Sequence, residues 1–333
     1  MIGADDITLD LNGHTIDGDG ALVDPCPGFC DEGVDNTAGH SGVTIQGGSI
    51  QEFARGVIVL GASNTRLRHL SVANNTFIGI TVGDDSARSR IERNSITDNG
   101  LVGLALFASP RGGNRVERNR VSGSGQIGLL VDDAAGNRID NNTFSDNVEA
   151  GTVIDGDRNQ ASRNRVLRNG DGIIIVGNDN AITRNHITDA PGCPQDGEVG
   201  CGFGISFEGG AGNLITHNLV TGARNAGIRL AAFEPDTPPA VGAVVRRNLV
   251  RDGDVDGILV ESTATDSLLE GNIAIGAGDD GIDVDSPSTT LTRNLGLRNG
   301  DLGIEAVPGV TDGGGNKARG NGNPAQCTNI DCN

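Results

Sequence analysis

The chain of 333 residues contains no Trp and no Tyr, and it has only 8 Phe and a single Met. Aromatic residues make up 2% of the sequence, which is too few for the core of an ordinary helical or doubly wound α/β domain. Apolar residues make up 36%, which is too many for a disordered chain. The composition therefore predicts a thin core built from Val, Ile and Leu.

Basic residues are scarce. The chain has 25 of them against 44 acidic residues, a formal net charge of −19, and Lys317 is its one lysine. This charge opposes binding to nucleic acid or to an anionic membrane. No apolar run approaches the ~18 residues that a membrane span requires, so we expect neither a nucleic-acid partner nor a membrane span.

The six cysteines fall into three close pairs, namely Cys26/Cys30, Cys193/Cys201 and Cys327/Cys332. An even number in local pairs predicts three short-range disulfides and a secreted or extracellular protein. No CxxC motif and no suitably spaced His accompany them, which argues against a zinc site. Met1-Ile2-Gly3 leads straight into a strand-like segment, so we expect the export leader to be missing from this sequence.

A glycine followed by alternating apolar residues recurs along the whole chain. These glycines are Gly56, Gly79, Gly103, Gly128, Gly151, Gly172, Gly204, Gly227, Gly257, Gly281 and Gly303. The period-2 alternation between Gly, Asn and Asp residues predicts short strands. A unit this short cannot bury its own apolar face, so the units must stack, and about 11–12 coils are expected. Residues one and three positions after each glycine, such as Ile258 and Val260, should face inward.

A column of asparagines accompanies the repeats. It comprises Asn94, Asn119, Asn142, Asn164, Asn185, Asn218, Asn248, Asn272 and Asn294, with Asn321 as its expected last member. Identical amides in adjacent coils can hydrogen-bond along the stack, so we interpret them as structural. The arginines that precede them form a stripe that could receive a polyanion, but we expect them to pair with local acids. These arginines are Arg93, Arg118, Arg163, Arg184, Arg247 and Arg293. The expected partners are Glu92, Glu117, Asp98, Asp146 and Asp189.

The opening ITLDLNGHTIDGDG (residues 7–20), the recurring N-x-I and G-I-x-V motifs and the asparagine column resemble the pectin-lyase-like superfamily, including its NosD-type repeats of exported bacterial proteins. The resemblance extends from Ile7 to Gly315 and implies an all-β, right-handed parallel β-helix that forms a single domain over residues 1–333. Because this scaffold carries lyases, hydrolases, epimerases and non-catalytic proteins, it does not by itself specify an activity.

Four segments interrupt the regular coils. We predict an N-terminal loop insertion at 21–36, groove-side loops at 189–202 and 231–240, and a C-terminal cap at 313–333. Earlier coils carry an apolar outer strip, which we expect to be covered by loops or by a second copy of the chain in a homo-oligomer. The strip consists of Phe107, Leu130, Val153, Ile174 and Val176.

The outward positions of the later coils are ionic instead. They hold Glu208, Arg229, Glu261, Asp283, Asp285 and Glu305. Carboxylates one coil apart lie about 5 Å from one another and repel unless a cation, a proton or an arginine intervenes. Calcium takes several carboxylate oxygens, which makes Glu261, Asp283 and Asp285 candidate metal ligands.

The calcium-dependent pectate lyases of the superfamily place acidic residues on such an outward strand and use a nearby arginine as base. By that resemblance, calcium would bridge a uronate carboxylate of the substrate while Arg229 abstracts the C5 proton. Glu208 and Glu305 are the expected substrate-binding residues. The resemblance thus implies a calcium-assisted lyase of uronate-containing polysaccharides.

Two turns suggest a different reaction. The segments DVDGI (254–258) and GDDGI (278–282) resemble the three-aspartate pattern of β-helical polygalacturonases, in which one carboxyl is the general acid and others activate water. That resemblance assigns these roles to Asp256, Asp279 and Asp280. The Gly-His-Gly and Arg-Ile-Lys motifs of that family are absent, and GDLG (300–303) stands where the former would be.

Three functions therefore remain open from the sequence. The expected one is calcium-assisted elimination, and the second is glycoside hydrolysis. The third is a non-catalytic extracellular scaffold that binds carbohydrate or calcium, in which Asp-Gly pairs are simple turn dipeptides.

Overall fold

The computed structural model describes residues 1–20, 31–193, 201–232 and 239–332. Within these ranges every regular element is a β-strand, which confirms the all-β prediction. No helix that could cross a membrane occurs among them. The chain divides into two compact units, Met1–Asn164 and Arg165–Asn333.

Unit 1 contains seventeen short strands. They are β1 (Thr8–Asp10), β2 (Thr15–Asp17), β3 (Glu32–Asn36), β4 (Thr44–Gln51), β5 (Arg55–Leu60), β6 (Arg66–Ala73), β7 (Ile78–Gly83), β8 (Arg90–Glu92), β9 (Ser95–Thr97), β10 (Val102–Ser109), β11 (Arg115–Glu117), β12 (Arg120–Ser122), β13 (Ile127–Ala134), β14 (Arg138–Asp140), β15 (Thr143–Ser145), β16 (Ala150–Asp155) and β17 (Gln160–Ser162).

Unit 2 contains the remaining strands. They are β18 (Arg165–Leu167), β19 (Asp171–Val176), β20 (Ala181–Thr183), β21 (His186–Ala190), β22 (Ile205–Phe207), β23 (Gly210–Ala211), β24 (Leu214–Thr216), β25 (Leu219–Ala223), β26 (Ile228–Leu230), β27 (Ala240–Val241), β28 (Val244–Arg246), β29 (Leu249–Arg251), β30 (Ile258–Val260), β31 (Leu268–Glu270), β32 (Ile273–Ile275), β33 (Ile282–Val284), β34 (Thr290–Thr292), β35 (Leu295–Leu297), β36 (Ile304–Ala306), β37 (Thr311–Asp312) and β38 (Lys317–Arg319).

Each unit is a stack of six coils. In unit 1 the strands β3, β5, β7, β10, β13 and β16 pair in parallel in that order. In unit 2 the corresponding strands are β19, β22, β26, β30, β33 and β36. The other strands of each unit form a second parallel sheet, except β23 and β27, which pair with each other in a separate sheet. The structure thus confirms a β-helix with the predicted number of coils.

The core lies between these sheets and is made of small aliphatic side chains. Ile258 and Val260 of one coil and Ile282 and Val284 of the next are all 0% exposed, as the G-I-x-V pattern predicts. Burying one such side chain contributes roughly 1.5–3 kcal/mol, so the stack gains stability from every coil.

The asparagine column forms a hydrogen-bonded ladder. Asn248 is typical: its Nδ2 donates to the carbonyl of Ile215 and to Oδ1 of Asn272, and its Oδ1 accepts from the backbone and side-chain nitrogens of Asn218. The ladder of unit 2 ends at Asn316, not at Asn321 as predicted.

Asn321 belongs to a second ladder, because it accepts from Asn299. Gln326 ends that second ladder, since its Oε1 accepts from both the backbone and the side-chain nitrogens of Asn321.

The segments expected to be loops contain more strand than predicted. Residues 32–36 form β3, which pairs with β5, so the N-terminal insertion ends earlier than position 36. Strand β21 includes residues 189 and 190, β27 begins at residue 240, and the predicted cap contains β38. The disulfides Cys193–Cys201 and Cys327–Cys332 are formed, whereas Cys26 and Cys30 lie outside the described residues.

Candidate functional site

Three charged side chains meet on the outer face of unit 2. The register of β22, β26 and β30 places Arg229 between the coils that carry Glu208 and Glu261. Arg229 Nε donates to Glu261 Oε1 at 2.7 Å, and Nη1 lies 3.5 Å from Glu208 Oε1. The guanidinium also lies 4.8 Å from the centre of the Phe203 ring. Arg229 therefore balances two carboxylates and stacks on the one aromatic ring of this site.

Glu208 is the buried member of this ion triad, with 5% of its surface exposed. Burial raises its pKa, although the Ser206 hydroxyl donates to Glu208 Oε1 at 2.8 Å and Arg229 lies nearby. The Ser206 hydroxyl and Arg229 stabilise the charged form of Glu208, which burial disfavours.

A cluster of aspartates lies one to two coils further along unit 2. Carboxylate oxygens of Asp256, Asp280 and Asp283 all lie within 4.8 Å of one another, and Asp280 forms a second such group with Asp279 and Asp301. Asp256 and Asp280 directly precede the glycines that begin β30 and β33, so equivalent turns of adjacent coils bring them together.

Backbone hydrogen bonds fix the two buried carboxyls. Asp256 Oδ1 accepts the N–H of Asp280 at 3.2 Å, and Asp280 Oδ1 accepts the N–H of Leu302 at 2.6 Å. The side chain of Asp280 also hydrogen-bonds that of Glu305. Each carboxyl thus uses one oxygen to hold the next coil.

Burial raises the pKa of all three clustered aspartates. The pKa of Asp280 rises to about 8 through burial and its hydrogen bond with Glu305, and that of Asp283 rises to about 7 through burial and the charge of Asp285. The pKa of Asp256 rises to about 6, again mainly through burial. At neutral pH, Asp280 therefore retains a proton while Asp256 is mostly ionised.

A cleft of ≈ 210 Å³ connects the ion triad to the aspartate cluster. Arg229 and Glu261 of the ion triad and Asp256 of the aspartate cluster all line it. Its remaining lining is Phe203, Asn225, Ala226, Val255 and Leu259. A ligand in this cleft would contact an aromatic ring, an amide and a buried carboxyl.

The structure regroups the residues predicted as metal ligands. Asp283 lies in the aspartate cluster, but Glu261 pairs with Arg229 instead, and Asp285 is exposed and acts on Asp283 through its charge. Glu305, predicted to bind substrate, is exposed and contacts Asp280.

Sequence reasoning missed two acids. Asp301 joins the group of Asp279 and Asp280, at the position where polygalacturonases would carry their Gly-His-Gly motif. Asp171 Oδ1 accepts the backbone N–H groups of Gly202 and Phe203, both at 2.7 Å, and burial raises its pKa to about 7. The signal for Asp171 was its place immediately before a repeat glycine, which it shares with Asp256 and Asp280.

Two of the arginines that precede ladder asparagines pair with acids, but their partners are not the acids that we predicted. Arg163 lies 2.5 Å from Asp140, and Arg293 lies 3.5 Å from Glu270.

Coils with an aliphatic core and amide ladders define a right-handed parallel β-helix. Residues 32–185 and 128–295 match the family described as "Right handed beta helix region", and the chain belongs to this family. No curated protein matches the chain.

Solved structures with the same fold include the Dettilon tailspike protein, with a TM-score of 0.64 and 16% identity over 86% of this chain and 61% of that one. The A-module of the Azotobacter vinelandii mannuronan C-5 epimerase AlgE4 has a TM-score of 0.55 and 14% identity over 84% of this chain and 85% of that one. XylC, solved with xylose, has a TM-score of 0.52 and 10% identity over 72% of this chain and 52% of that one. At these identities the likeness shows the fold alone.

Proposed function

We propose that the chain acts on a polysaccharide and hydrolyses a glycosidic bond at the aspartate cluster of unit 2. The observation that carries this proposal is that carboxylate oxygens of two buried acids, Asp256 and Asp280, lie within 4.8 Å of each other and that Asp256 lines a cleft. Burial and the hydrogen bond with Glu305 raise the pKa of Asp280 further than burial raises that of Asp256. Two carboxyls whose pKa values differ at one site are the elements of glycoside hydrolysis. The mannuronan C-5 epimerase module and XylC, solved with xylose, share the fold and support a carbohydrate-related role.

In this mechanism Asp280 donates its proton to the glycosidic oxygen, so the departing sugar leaves as an alcohol. Asp256 accepts a proton from water, whose oxygen bonds to the anomeric carbon. Glu305 accepts a hydrogen bond from Asp280 and so favours its protonated form. The charge of Asp279 also raises the pKa of Asp280.

The second candidate is the calcium-assisted elimination expected from the sequence. The carboxylates of Asp256, Asp280 and Asp283 offer hard oxygen ligands within 4.8 Å of one another, a donor set that suits calcium. Bound calcium would supply positive charge for a uronate carboxylate. The guanidinium of the predicted base, Arg229, is however engaged by Glu261 at 2.7 Å and by Glu208 at 3.5 Å, so these contacts hold it away from a substrate proton. The contacts therefore favour hydrolysis.

A panel of uronate and neutral polysaccharides tests the proposal. Hydrolysis releases reducing ends without unsaturated products, whereas elimination yields unsaturated uronates and should stop on chelation of calcium. Asp280→Asn should lower hydrolysis about 10²–10⁴-fold, because it removes the general acid. Asp254→Asn, which alters an exposed aspartate of the same turn region, is the matched control.

If unsaturated products formed, the proposed hydrolysis would be wrong and calcium-assisted elimination would be the activity. The absence of turnover on every polymer would favour the non-catalytic scaffold. The two disulfides support the expectation that the protein acts outside the cytoplasm.

A further inference from the structure

A column of arginines runs along the outer face of unit 1. The register of β6, β8, β11 and β14 aligns Arg66, Arg90, Arg115 and Arg138 in successive coils. All four side chains are exposed. Adjacent members are therefore separated by about the strand spacing of ~4.8 Å.

A cleft of ≈ 320 Å³ lies on this column and is lined without any acidic residue. Arg66, Arg90 and Arg115 contribute to it, together with Arg88 from the preceding turn. The other lining residues are Asn64 and Gly113. Four arginines therefore line one depression on a chain whose formal net charge is −19.

Among the residues that the structure describes, no carboxylate forms a salt bridge with the four arginines that line the cleft. The ion pairs between arginine and acid in the described part of unit 1 involve Arg55, Arg138, Arg158 and Arg163, and none involves a cleft arginine. Glu92 and Glu117 lie two residues further along β8 and β11, without a salt bridge to the column. Like charges on directly paired strands destabilise a sheet, so the column carries an electrostatic cost that a bound anion would remove.

We propose that this arginine column binds a linear acidic polysaccharide, with one anionic group of the polymer facing each coil. Arginine forms bidentate hydrogen bonds with carboxylate and sulfate-like oxygens, and its planar group keeps its charge at any physiological pH. The spacing of the arginines is comparable to the length of one linked sugar ring. The column belongs to unit 1 and is thus separate in the chain from the aspartate cluster, where a polyanion would meet like charge.

The choice of a polysaccharide rests on the proposed function, whereas the anionic character of the ligand rests on the arginines alone. A single-stranded nucleic acid would offer the same charge pattern. Its bases, however, bind chiefly by stacking on aromatic side chains, and none of the described residues that line this cleft is aromatic. The strongly negative net charge of the chain also opposes it.

Isothermal titration calorimetry with an oligogalacturonate tests the inference, with a neutral oligosaccharide and a single-stranded oligonucleotide of matched charge as comparison ligands. The titrations use the wild-type chain and the Asp280→Asn variant, so that binding is measured whether or not the ligand is cleaved. Arg90→Gln with Arg115→Gln should weaken oligogalacturonate binding at least tenfold, as loss of charge-assisted hydrogen bonds predicts. Added salt should weaken the wild-type interaction.

The control variant is Arg120→Gln with Arg165→Gln, which removes the same charge from exposed strand positions outside the column. It should bind within twofold of the wild type. Arg90→Lys with Arg115→Lys should restore part of the affinity, because charge returns without bidentate geometry. Circular dichroism checks that each variant is folded.

Absence of oligogalacturonate binding, or equal weakening in the control variant, would overturn the inference. Equal or tighter binding of the oligonucleotide would overturn the choice of polysaccharide. If the protein hydrolyses no polysaccharide, the binding titrations can still be read. If the Arg90→Gln, Arg115→Gln variant binds as the wild type does, the proposed hydrolysis is unaffected. The two proposals can therefore fail separately.

Discussion

Asp171 is the most sharply testable group in unit 2. Its Oδ1 holds two backbone N–H groups, one of them from Phe203, whose ring lies beneath Arg229 in the cleft. Asp171→Asn keeps an oxygen acceptor at this position but cannot ionise. The substitution therefore tests the cost of ionising a buried carboxyl without removing the hydrogen bonds that position Phe203.

The expected magnitude follows from the pKa of Asp171, which burial raises from 3.8 to about 7. Because the folded state holds this proton more tightly than the unfolded state, the stability it contributes is complete below pH 4 and is lost as the pH rises through 7. Each pKa unit corresponds to 1.36 kcal/mol, so the wild type should lose about 3 kcal/mol through this group between pH 5 and pH 8. The Asn variant should not lose that contribution.

Urea denaturation of both proteins at pH 5, 6, 7 and 8 measures the difference. The free energy of unfolding of Asp171→Asn, relative to the wild type, should rise by about 3 kcal/mol over this range. Asp179→Asn controls for the loss of one negative charge at an exposed position. A constant difference between the wild type and Asp171→Asn at all four pH values would refute the reasoning.

Three further predictions follow from the same contacts. Gly257→Ala should lower the free energy of unfolding by about 1–3 kcal/mol, because its Cβ would lie 2.4 Å from a backbone oxygen of Gly281. Gly253→Ala is the control and should cost far less, because its Cβ would lie 3.4 Å from the nearest atom. Equal losses in the two variants would contradict the packing. Asn248→Ala should cost about 2–5 kcal/mol by leaving ladder donors unpaired, and a loss under 1 kcal/mol in thermal unfolding would contradict the ladder. The kcat/KM of the proposed hydrolysis should rise as the base Asp256 ionises near pH 6 and fall as the acid Asp280 ionises near pH 8; activity that keeps rising above pH 9 would exclude Asp280 as the acid.

The repeating part of the fold could be predicted because one physical constraint acts in every coil. A position such as Ile258 must be apolar in each unit, since it faces the same narrow core. The second ladder, with Asn299 and Asn321, was harder to find. Its equivalent positions include residues other than asparagine, such as Ser124, which donates its backbone N–H to Asn147 Oδ1. Because several residue types can make the same hydrogen bond, a fixed sequence motif does not reveal this ladder.

The pairing of charged residues could not be predicted in the same way. Alternation correctly placed Arg229 and Asp283 on the outer face, but it does not specify which neighbours their long side chains reach. Glu261 was grouped with the acids, yet it reaches back one coil to Arg229. Arg66, Arg90 and Arg115 recur with the coil period, so this column is visible in the sequence, but the period alone does not distinguish it from the arginines that precede the ladder asparagines.

The closure of the second ladder by Gln326 has a consequence for self-association. A stack of parallel strands ends in exposed hydrogen-bonding groups that could recruit another molecule. Gln326 lies only five residues after Asn321 and accepts both of its donors, so the chain caps its own terminal amide. A β-helix finished in this way satisfies its final corner internally, which discourages end-to-end growth of molecules into fibres.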